Sequence, residues 1–426
     1  MFFQRDAYLF GKRQASFFNA IKSYQLPTMS LSERIKQKAF QLGFSACGIA
    51  KAEPVENDGF LFDRWIADGC HAGMKYLENH RDIRLNPDGL VPGARSVISV
   101  ALNYYPPVRQ ADGHPRIAYY AYGEDYHTVV KDKLRLLWQA ITEEILPSAA
   151  SSELPLRRER KETIPAPETF FSEEEAPSVL GETSSASLET SSALLQRPSA
   201  PSETPLIQTR VASISSEAPP AARFFTDSAP LLERYWAWKA GLGFIGKNTQ
   251  LILPGQGSFF FLGEIVTTWA ADRYDRPQKN RCGTCTRCLE ACPTAALRAH
   301  RLDASRCLSY LTIEHKGEIS PALAARLGNR LYGCDTCQLV CPWNRFARPT
   351  SEKAFEPNPD LLALGKNDFR TLTREEYNRI FARSAVKRAK YEGLLRTLRY
   401  LNDDRNCTEE REDKKGERKG DEPDFG

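Results

Sequence analysis

Segments with helical periodicity alternate with short apolar runs between residues 29 and 146, and again after residue 222. Apolar residues at every third and fourth position indicate amphipathic helices, whereas short continuous apolar runs indicate buried strands. In chain order the pattern predicts a helix at 30–42, a strand at 45–50, helix 60–78, strand 96–105, helix 126–146, strand 223–226, helix 231–240, a glycine-rich turn at 241–248, and strands near 251 and at 258–267. This order is typical of an α/β domain.

The segment between the two parts of this domain has a different composition. Residues 148–222 are rich in Ser, Pro, Glu, Ala and Thr, contain few aromatic residues and show no sustained periodicity. Such a segment buries too little apolar surface to offset the entropy lost on ordering. We therefore predict a disordered insertion at 148–222, and a charged, disordered tail at 406–426.

The first 28 residues precede a clear helix start. The sequence SLSE at 30–33 is a capping box, in which the side chains of Ser30 and Glu33 each accept a backbone N–H of the other residue. Met29 is therefore predicted to be the functional start, and residues 1–28 form an extension without the pattern of a secretory signal. No apolar run approaches the roughly 20 residues that span a bilayer. We expect a cytoplasmic monomer without a membrane segment.

Cysteine usage is more informative than length or charge. The 426 residues suffice for two or three domains, and the net charge of +4 is too small to indicate a partner. Eight of the eleven cysteines lie between residues 282 and 341. A chain of this length does not depend on disulfides, so the crowding favours metal ligation in a reducing compartment. The isolated Cys47, Cys70 and Cys407 are interpreted as ordinary thiols.

The clustered cysteines follow the spacing of two-cluster bacterial ferredoxins. In CxxCxxCxxxCP at 282–293, three thiolates converge on one [4Fe–4S] cube and the fourth turns to a second cube; CxxCxxxCP at 334–342 is the second half. Crossing the sets as in ferredoxins gives a first quartet of Cys282, Cys285, Cys288 and Cys341. The second quartet is then Cys292, Cys307, Cys334 and Cys337. Zinc, the alternative, favours separated CxxC pairs.

The position of this module in the chain indicates what it serves. Two adjacent clusters transfer single electrons, and a simple electron carrier needs only a few dozen residues. Here most of the chain precedes the clusters, so we expect an upstream domain that consumes the electrons. The predicted units are an enzyme domain at 29–147 and 223–275, a ferredoxin-like domain at 276–345, and a helical region at 346–405 whose residues 369–401 read as helix.

Five stretches around these elements carry longer motifs: DSAPLLER (227–234), KAGLGFIGKN (239–248), GSFFFLGE (257–264), CLSYLTIE (307–314) and NRLYGCDTCQLVCPWN (329–344). Together they closely resemble the epoxyqueuosine reductase family, over roughly 30–146 and 223–400. The resemblance implies a multidomain fold of mixed α+β and α/β type. Its parts would be an α/β cobalamin-binding domain, a two-cluster ferredoxin-like domain and a short helical C-terminal region.

The resemblance also implies an activity. Family members reduce the epoxide of epoxyqueuosine to the alkene of queuosine at the wobble position of tRNA, with electrons passed through two [4Fe–4S] clusters to cobalamin. The substrates would be the Tyr, His, Asn and Asp tRNAs with GUN anticodons. The low-potential electron donor is not identified by the sequence. The insertion at 148–222 and the early end of the helical region depart from the family pattern and bear on tRNA binding.

By resemblance the proton donor to the leaving oxygen is Asp227, at the end of a predicted strand. In a dry pocket its carboxyl group would stay protonated near neutrality, because desolvation disfavours the charged form. The alternative is that Asp227 only caps the following helix. Asp125, in GEDYH at 123–127, is the second candidate, and a helix cap is its alternative role as well.

Further residues are candidates for contacts with cobalamin. The resemblance suggests Arg84, in addition to Asp227. Lys247 and Asn248 could hydrogen-bond the amide or phosphate groups of cobalamin. Ser309 and Asp335, which lie beside cluster ligands in the sequence, could line the same cavity, and ordinary surface or capping roles are the alternative. Glycines at 241, 243 and 246 would permit close approach of a large planar ligand, and a tight structural turn is the alternative. The Asp-x-His-x-x-Gly motif that supplies an axial histidine to cobalt is absent from the sequence. We therefore expect base-off cobalamin without a histidine ligand.

A basic helix face is the candidate tRNA contact. The residues Arg379, Arg383, Lys387 and Lys390 fall on roughly one face of the predicted C-terminal helix. Phosphate contacts there would supply affinity while the wobble base enters the cofactor pocket; a merely solvated face is the alternative. Rival hypotheses for the whole chain are a corrinoid reductive dehalogenase and a ferredoxin-type electron carrier.

Overall fold

A computed structural model describes residues 29–55, 57–145 and 220–402. The helices are α1 (Leu31–Gln41), α2 (Asn57–Ala67), α3 (Arg81–Leu85), α4 (Tyr126–Ile145), α5 (Glu233–Lys239), α6 (Arg287–Glu290), α7 (Leu308–Ile313), α8 (Pro321–Ala324), α9 (Thr336–Leu339), α10 (Pro359–Ala363), α11 (Lys366–Arg370), α12 (Arg374–Phe381) and α13 (Lys390–Asn402). The strands are β1 (Ala46–Lys51), β2 (Ser96–Asn103), β3 (Arg116–Ile117), β4 (Ala222–Phe225), β5 (Phe244–Ile245), β6 (Leu251–Ile252), β7 (Phe260–Thr267), β8 (Leu297–Arg298), β9 (Arg301–Leu302) and β10 (Arg330–Tyr332).

The main sheet has four strands in the order β1-β2-β7-β4, and every neighbouring pair is antiparallel. The prediction of an α/β arrangement is therefore wrong for this sheet, which has the antiparallel pairing of an α+β fold. Periodicity located the strands but carried no information on their direction. Strands from before residue 145 and after residue 220 share the sheet, so the two predicted parts of the enzyme domain form one structural unit.

Helices cover both faces of the sheet. On one face α1 and α4 contribute Ile35 and Leu134 to the larger hydrophobic core, together with Ile265 of β7. On the other face α5 buries Trp236 completely. Burial of such a ring stabilises the fold by about 3–5 kcal/mol, the usual cost of replacing it with alanine. The predicted capping box at Ser30 is confirmed and begins α1.

One predicted helix is too long. The segment 60–78 was expected to be a single helix, but α2 ends at Ala67. Gly69 has a positive φ of 67°, a left-handed conformation that stops an α-helix and that glycine adopts without strain. Turns follow, and then a single 3₁₀ turn over Lys75–Leu77. The chain between α2 and α3 is therefore a loop that lines one side of the candidate site.

The cysteine-rich module consists of short elements joined to the sheet domain. β8 and β9 form a small hairpin, and β10 pairs in parallel with β3, which belongs to the upstream part of the chain. Leu331 and Tyr332 of β10 are fully buried in the larger hydrophobic core. The module is therefore not an appended ferredoxin but is packed into the enzyme domain.

The C-terminal region also differs from its prediction. Residues 369–401 do not form one helix. They comprise the end of α11, all of α12, a 3₁₀ turn over Ala385–Ala389 and most of α13. The four basic residues predicted for one helix face therefore lie on separate elements. Phe369, Phe381 and Leu394 are buried in the same core as the sheet residues, so this region is part of the main body.

Some predictions lie outside the described residues. These are the extension at 1–28, the tail at 406–426 and nearly all of the insertion at 148–222, although β4 already begins at Ala222. Within the described ranges no helix is both long and apolar enough to cross a bilayer.

Candidate active site

Asp227 lies in the turn that follows β4. Its backbone has a left-handed φ of 50°, which Asp tolerates better than most residues. The preceding Thr226 anchors the turn by donating from Oγ1 to the carbonyl of Leu262 at 2.8 Å. α5 begins later, with Leu232 as its N-cap and without a side-chain cap, so the helix-cap alternative for Asp227 is wrong. The side chain is 66% exposed and is available to a ligand.

Tyr126, at the start of α4, holds the carboxyl group of Asp227. Its hydroxyl donates to Asp227 Oδ2 in a short hydrogen bond of 2.5 Å. The phenol ring stacks on Phe261 at 4.3 Å with an angle of 4° and also on His127 at 4.1 Å. Burial, followed by the negative charge of Asp227, raises the pKa of Tyr126 well above its usual range. The hydroxyl therefore keeps its proton and fixes one carboxyl oxygen.

Asp125, the second candidate proton donor, is held by other groups. Its Oδ1 accepts from the backbone N–H of His127 at 3.1 Å and lies 2.7 Å from Nδ1 of the same residue, while Lys387 lies 2.9 Å from Oδ2. Burial alone would raise the pKa of Asp125, but these hydrogen bonds outweigh it and lower the pKa below its usual range. Asp125 is thus a carboxylate that caps α4, which is its alternative role. His127 Nε2 lies 4.0 Å from Asp227 Oδ2.

Two further acids lie behind Asp227. Glu233 accepts the backbone N–H of Asp227, and desolvation, followed by the charge of Asp227, raises the pKa of Glu233 to about 8. Glu264 of β7 is fully buried opposite Ser99 of β2, and both of its carboxyl oxygens lack a hydrogen-bond partner among the described residues. Desolvation raises the pKa of Glu264 well above its usual range. Both carboxyl groups therefore hold protons near neutral pH.

Several charged residues lie near the exposed side chain of Asp227. Tyr76, on the loop between α2 and α3, is within electrostatic range of Arg84, Asp227, Glu314 and Arg388. Arg388 and Glu314 form a two-bonded ion pair at 2.9 and 3.1 Å. Arg84 is only 7% exposed, has a single long contact of 3.5 Å to the carbonyl of Tyr76, and its Nε has no partner among the described residues. A buried guanidinium with unused donors fits an anionic or carbonyl-rich ligand.

The first cysteine quartet surrounds a single cavity of about 260 Å³, near the surface. All four of its cysteines, Cys282, Cys285, Cys288 and Cys341, line this cavity together with Lys247, Arg281 and Arg345. The backbone N–H of Lys247 points at Cys282 Sγ at 3.4 Å, the kind of N–H···S contact that tunes iron–sulfur sites. Among the described residues, no three potential ligands are arranged to hold a single metal ion.

The second quartet is also brought together. Cys307, Cys334 and Cys337 lie within electrostatic range of one another, and Cys292 lies within that range of Cys307. Desolvation, followed by the neighbouring thiols, raises the pKa of the Cys337 thiol well above its usual range. Cys337 also lies within range of Cys288, so the two quartets are adjacent. The structure thus groups the cysteines as the ferredoxin spacing predicts.

Lys247 and Asn248 contact the cysteine loops. Lys247 Nζ donates to the carbonyls of Gly283 and Cys285 at 2.8 and 3.0 Å, and Asn248 Nδ2 donates to the carbonyl of Cys337 at 3.1 Å. In this arrangement both side chains brace the cluster module, and their contact with cobalamin stays a prediction.

The glycine-rich turn is built for packing against the protein. A Cβ at Gly243 would lie 2.2 Å from the carbonyl oxygen of Ile252, and one at Gly241 would lie 2.8 Å from that of Arg276. Gly241 also has a left-handed φ of 77°. A Cβ at Gly246 would likewise meet protein atoms, 2.6 Å from Ile252 Cδ1. The close approach is therefore between neighbouring segments, so the structural-turn alternative accounts for these glycines.

Ser309 and Asp335 adjoin cluster ligands as expected. Ser309 is in the first turn of α7, directly after the Cys307 N-cap, and is half-buried. Asp335 Oδ2 accepts the backbone N–H of Tyr119 at 2.9 Å, and desolvation raises the pKa of Asp335 to about 6. Their role toward a cofactor stays a prediction.

The basic residues of the C-terminal region are mostly paired with acids. Arg379 pairs with Asp360, Arg383 with Glu124 and Lys387 with Asp125. Exposed ion pairs of this kind are worth little individually, but they reduce the charge that is free to meet phosphates. The four basic residues predicted to contact tRNA therefore do not form a continuous basic face.

Sequence reasoning missed the neighbours of Asp227. Tyr126 and Asp227 are 101 residues apart in the chain, and no local pattern links them. His127 stands in the GEDYH motif, where only its aspartate was considered. Glu264 had a detectable signal, because a single acid inside a buried apolar strand is costly unless it stays neutral or is paired.

Comparison with known proteins agrees with these features. Residues 281–344 match the family model described as "4Fe-4S double cluster binding domain", and residues 84–151 match "Epoxyqueuosine reductase QueG, DUF1730". The first match contains all eight cysteines of the two quartets, so the chain carries a domain for two [4Fe–4S] clusters.

Curated relatives cover nearly the whole chain. The epoxyqueuosine reductase of Cellulophaga algicola is 38% identical over 371 residues, which is 87% of this chain and 97% of the relative. That of Escherichia coli is 32% identical over 89% of this chain and 82% of the relative. A crystal structure of an epoxyqueuosine reductase with an epoxyqueuosine-modified tRNA-Tyr stem loop has a TM-score of 0.62 at 24% identity, covering 87% of this chain and 80% of that chain, which shows the shared fold. This chain belongs to the epoxyqueuosine reductase family.

Proposed function

We propose that this protein reduces the epoxide of epoxyqueuosine to the alkene of queuosine at the wobble position of cytoplasmic tRNAs with GUN anticodons, those for Tyr, His, Asn and Asp. The observation that carries the proposal is the grouping of two adjacent cysteine quartets in a chain that also exposes Asp227 near Tyr76, Arg84 and Arg388. Relatives with this name match over more than four fifths of the chain.

The reaction determines what the site has to supply. Conversion of an epoxide to an alkene consumes two electrons and two protons and releases the oxygen as water. Acid–base side chains do not supply reducing electrons, so the reaction calls for a redox cofactor. The two [4Fe–4S] clusters would store and pass single electrons, held by the two quartets.

Cobalamin fits the chemistry of the residues near Asp227. Its phosphate and amide groups would find the buried Arg84, whose Nε has no partner among the described residues. Lys247, Asn248, Ser309 and Asp335 remain candidates for further contacts, nearer to the cluster ligands. Base-off binding without a histidine ligand is part of the proposal. When bound, cobalamin would supply the electrons to the reacting carbon.

Asp227 would donate the proton that the leaving oxygen requires, because an alkoxide leaves poorly. Tyr126 holds Oδ2 at 2.5 Å and thereby leaves Oδ1 as the oxygen that can carry and deliver the proton. Glu233, which is neutral near pH 7, accepts the backbone N–H of Asp227 and fixes the turn without adding a negative charge. His127, 4.0 Å from Oδ2, is placed to accept or restore a proton between turnovers.

The decisive experiment is anaerobic reconstitution with iron, sulfide and cobalamin, followed by incubation with a strong reductant and epoxyqueuosine-containing tRNA. Nucleoside analysis by mass spectrometry should show queuosine. Loaded cofactors without queuosine would overturn the proposal, and turnover of organohalides instead would favour a dehalogenase.

A further inference from the structure

The surface beside the first quartet carries positive charge. The cavity of about 260 Å³ that its cysteines line is bordered by Arg281 and Arg345, and both arginines are exposed. An adjoining depression shares Cys341 and Arg345 with this cavity and adds the exposed Arg287. We call Arg281, Arg287 and Arg345 the cationic rim.

The charges of the rim are available to a partner. Among the residues that the structure describes, none of the three arginines has an ion-pair partner; Arg345 only stacks on the Phe346 ring at 4.6 Å. This contrasts with Arg379 and Arg383, whose charges are paired within the chain. An unpaired cation on the surface raises the local potential most effectively, since no neighbouring acid cancels it.

The rim also surrounds exposed apolar groups. Leu339 lines the depression and is 41% exposed, and Phe346 lines the cavity and is 38% exposed. Among the described residues that line the cavity and the depression, Glu290 is the one acid, and it accepts a hydrogen bond from the hydroxyl of Thr286. A small apolar centre with a charged rim is the composition of a transient protein interface.

The second quartet connects the first quartet with the surroundings of Asp227. Cys307 of the second quartet is the N-cap of α7, and Glu314 is the C-cap of the same six-residue helix. Glu314 and Asp227 both lie within electrostatic range of Tyr76, and the first quartet lines the cavity that the rim borders. An electron that enters at the first quartet can therefore pass to the adjacent second quartet on its way toward Asp227.

We propose that the cationic rim is the docking surface for a small acidic, low-potential one-electron carrier protein, an inference that rests on the proposed function. Each docking event oxidises one reduced carrier by one electron and reduces the cluster of the first quartet by one. Two such events supply the two electrons that, with two protons, convert one epoxide into an alkene and water. Electrostatic steering raises the association rate of such pairs and makes it fall with salt.

RNA is the competing occupant of a basic surface. The rim borders cluster cysteines and not Asp227, where the modified base has to react, and exposed Leu339 and Phe346 suit a protein better than a phosphate backbone. Nucleic-acid interfaces are in general more polar and more strongly charged than interfaces between proteins. An acidic protein is therefore the occupant that the surface favours.

The test uses the full chain with both clusters and cobalamin loaded, and reduced flavodoxin as the acidic carrier. Stopped-flow absorbance measures the rate of cluster reduction by flavodoxin and, separately, by reduced methyl viologen, a small cation that needs no docking surface. The variants are Arg281→Glu/Arg287→Glu and, as the matched control, Arg298→Glu. Arg298 is an exposed arginine of the same module that lines neither surface.

The double variant is expected to lower the flavodoxin rate itself by at least about tenfold at low salt without lowering the viologen rate, and to remove the decrease of the flavodoxin rate with salt. Its affinity for oxidised flavodoxin, measured by calorimetry, should fall in parallel, while Arg298→Glu leaves both unchanged. A flavodoxin rate within twofold of the wild type would overturn the docking proposal. So would a selective loss of affinity for a tRNA anticodon stem loop, which would make the rim an RNA contact.

Failure of the proposed function gives a different result. In that case the viologen-reduced wild type makes no queuosine, whatever the flavodoxin rates are. If queuosine forms with viologen but flavodoxin reduces the wild type and the double variant equally, only the docking proposal fails.

Discussion

The hydrogen bond from Tyr126 to Asp227 allows a sharp test of the active site. Tyr126→Phe removes one hydroxyl and keeps the ring that stacks on Phe261 at 4.3 Å, so the fold should be retained. A hydrogen bond to a charged group contributes about 1.5–3 kcal/mol, and the carboxyl group of Asp227 becomes charged as it gives up its proton. Since 1.36 kcal/mol corresponds to tenfold in rate, we expect kcat to fall by about 10- to 100-fold if the bond orients Asp227 in the transition state.

The assay is queuosine formation under single-turnover and steady-state conditions, with the KM for tRNA measured in parallel. KM should change little, because Tyr126 is buried and holds a side chain rather than the RNA. Tyr120→Phe is the matched control: its hydroxyl bonds Tyr332 at 3.1 Å in the same group of aromatic rings. A Tyr126→Phe rate within twofold of the wild type, or an equal loss in Tyr120→Phe, would refute the positioning role.

Three other predictions concern the proton donor, the buried acid and the glycine turn. Asp227→Asn should abolish queuosine formation while the cluster absorbance persists; near-normal turnover would remove Asp227 from the mechanism. The folded protein keeps a proton on Glu233 up to pH about 8, whereas the unfolded chain loses it above pH 4.5, so stability should fall as pH rises through this window. Glu233→Gln should flatten that dependence in urea titrations at pH 5 and 8.5, and an unchanged slope would contradict the assignment. Gly243→Ala, whose Cβ would lie 2.2 Å from the carbonyl oxygen of Ile252, should lower stability by about 1–3 kcal/mol, and an unchanged melting temperature would show that the turn relaxes freely.

Local patterns in the sequence predicted elements better than their arrangement. The apolar runs of β2 and β7 located both strands, because each is almost continuously buried. Their antiparallel pairing depends on how distant segments meet, which no local pattern records. The helix predicted for 60–78 was too long because the apolar spacing in the sequence continues past Gly69. The backbone of Gly69 is left-handed, and this conformation ends the helix.

The candidate site divides in the same way. Cysteine spacing is a local property with strict geometric requirements, so both quartets could be assigned from the sequence, and the structure groups them accordingly. The hydrogen bond of Tyr126 to Asp227 joins residues 101 positions apart and could not be seen. The sequence wrongly suggested a basic face with free charges at Arg379 and Arg383, because the acids that pair with them lie in other segments of the chain.

The parallel pairing of β3 with β10 has a consequence for how the protein ages in an oxidising environment. β10 contributes Leu331 and Tyr332 to the main core and ends two residues before Cys334, so the thiolates of the second quartet hold in place a segment on which the whole interior rests. Metal ligands that form only in the folded state contribute their binding energy to folding. Loss of the clusters to oxygen would therefore lower the stability of the enzyme body itself, in addition to removing the route for electrons.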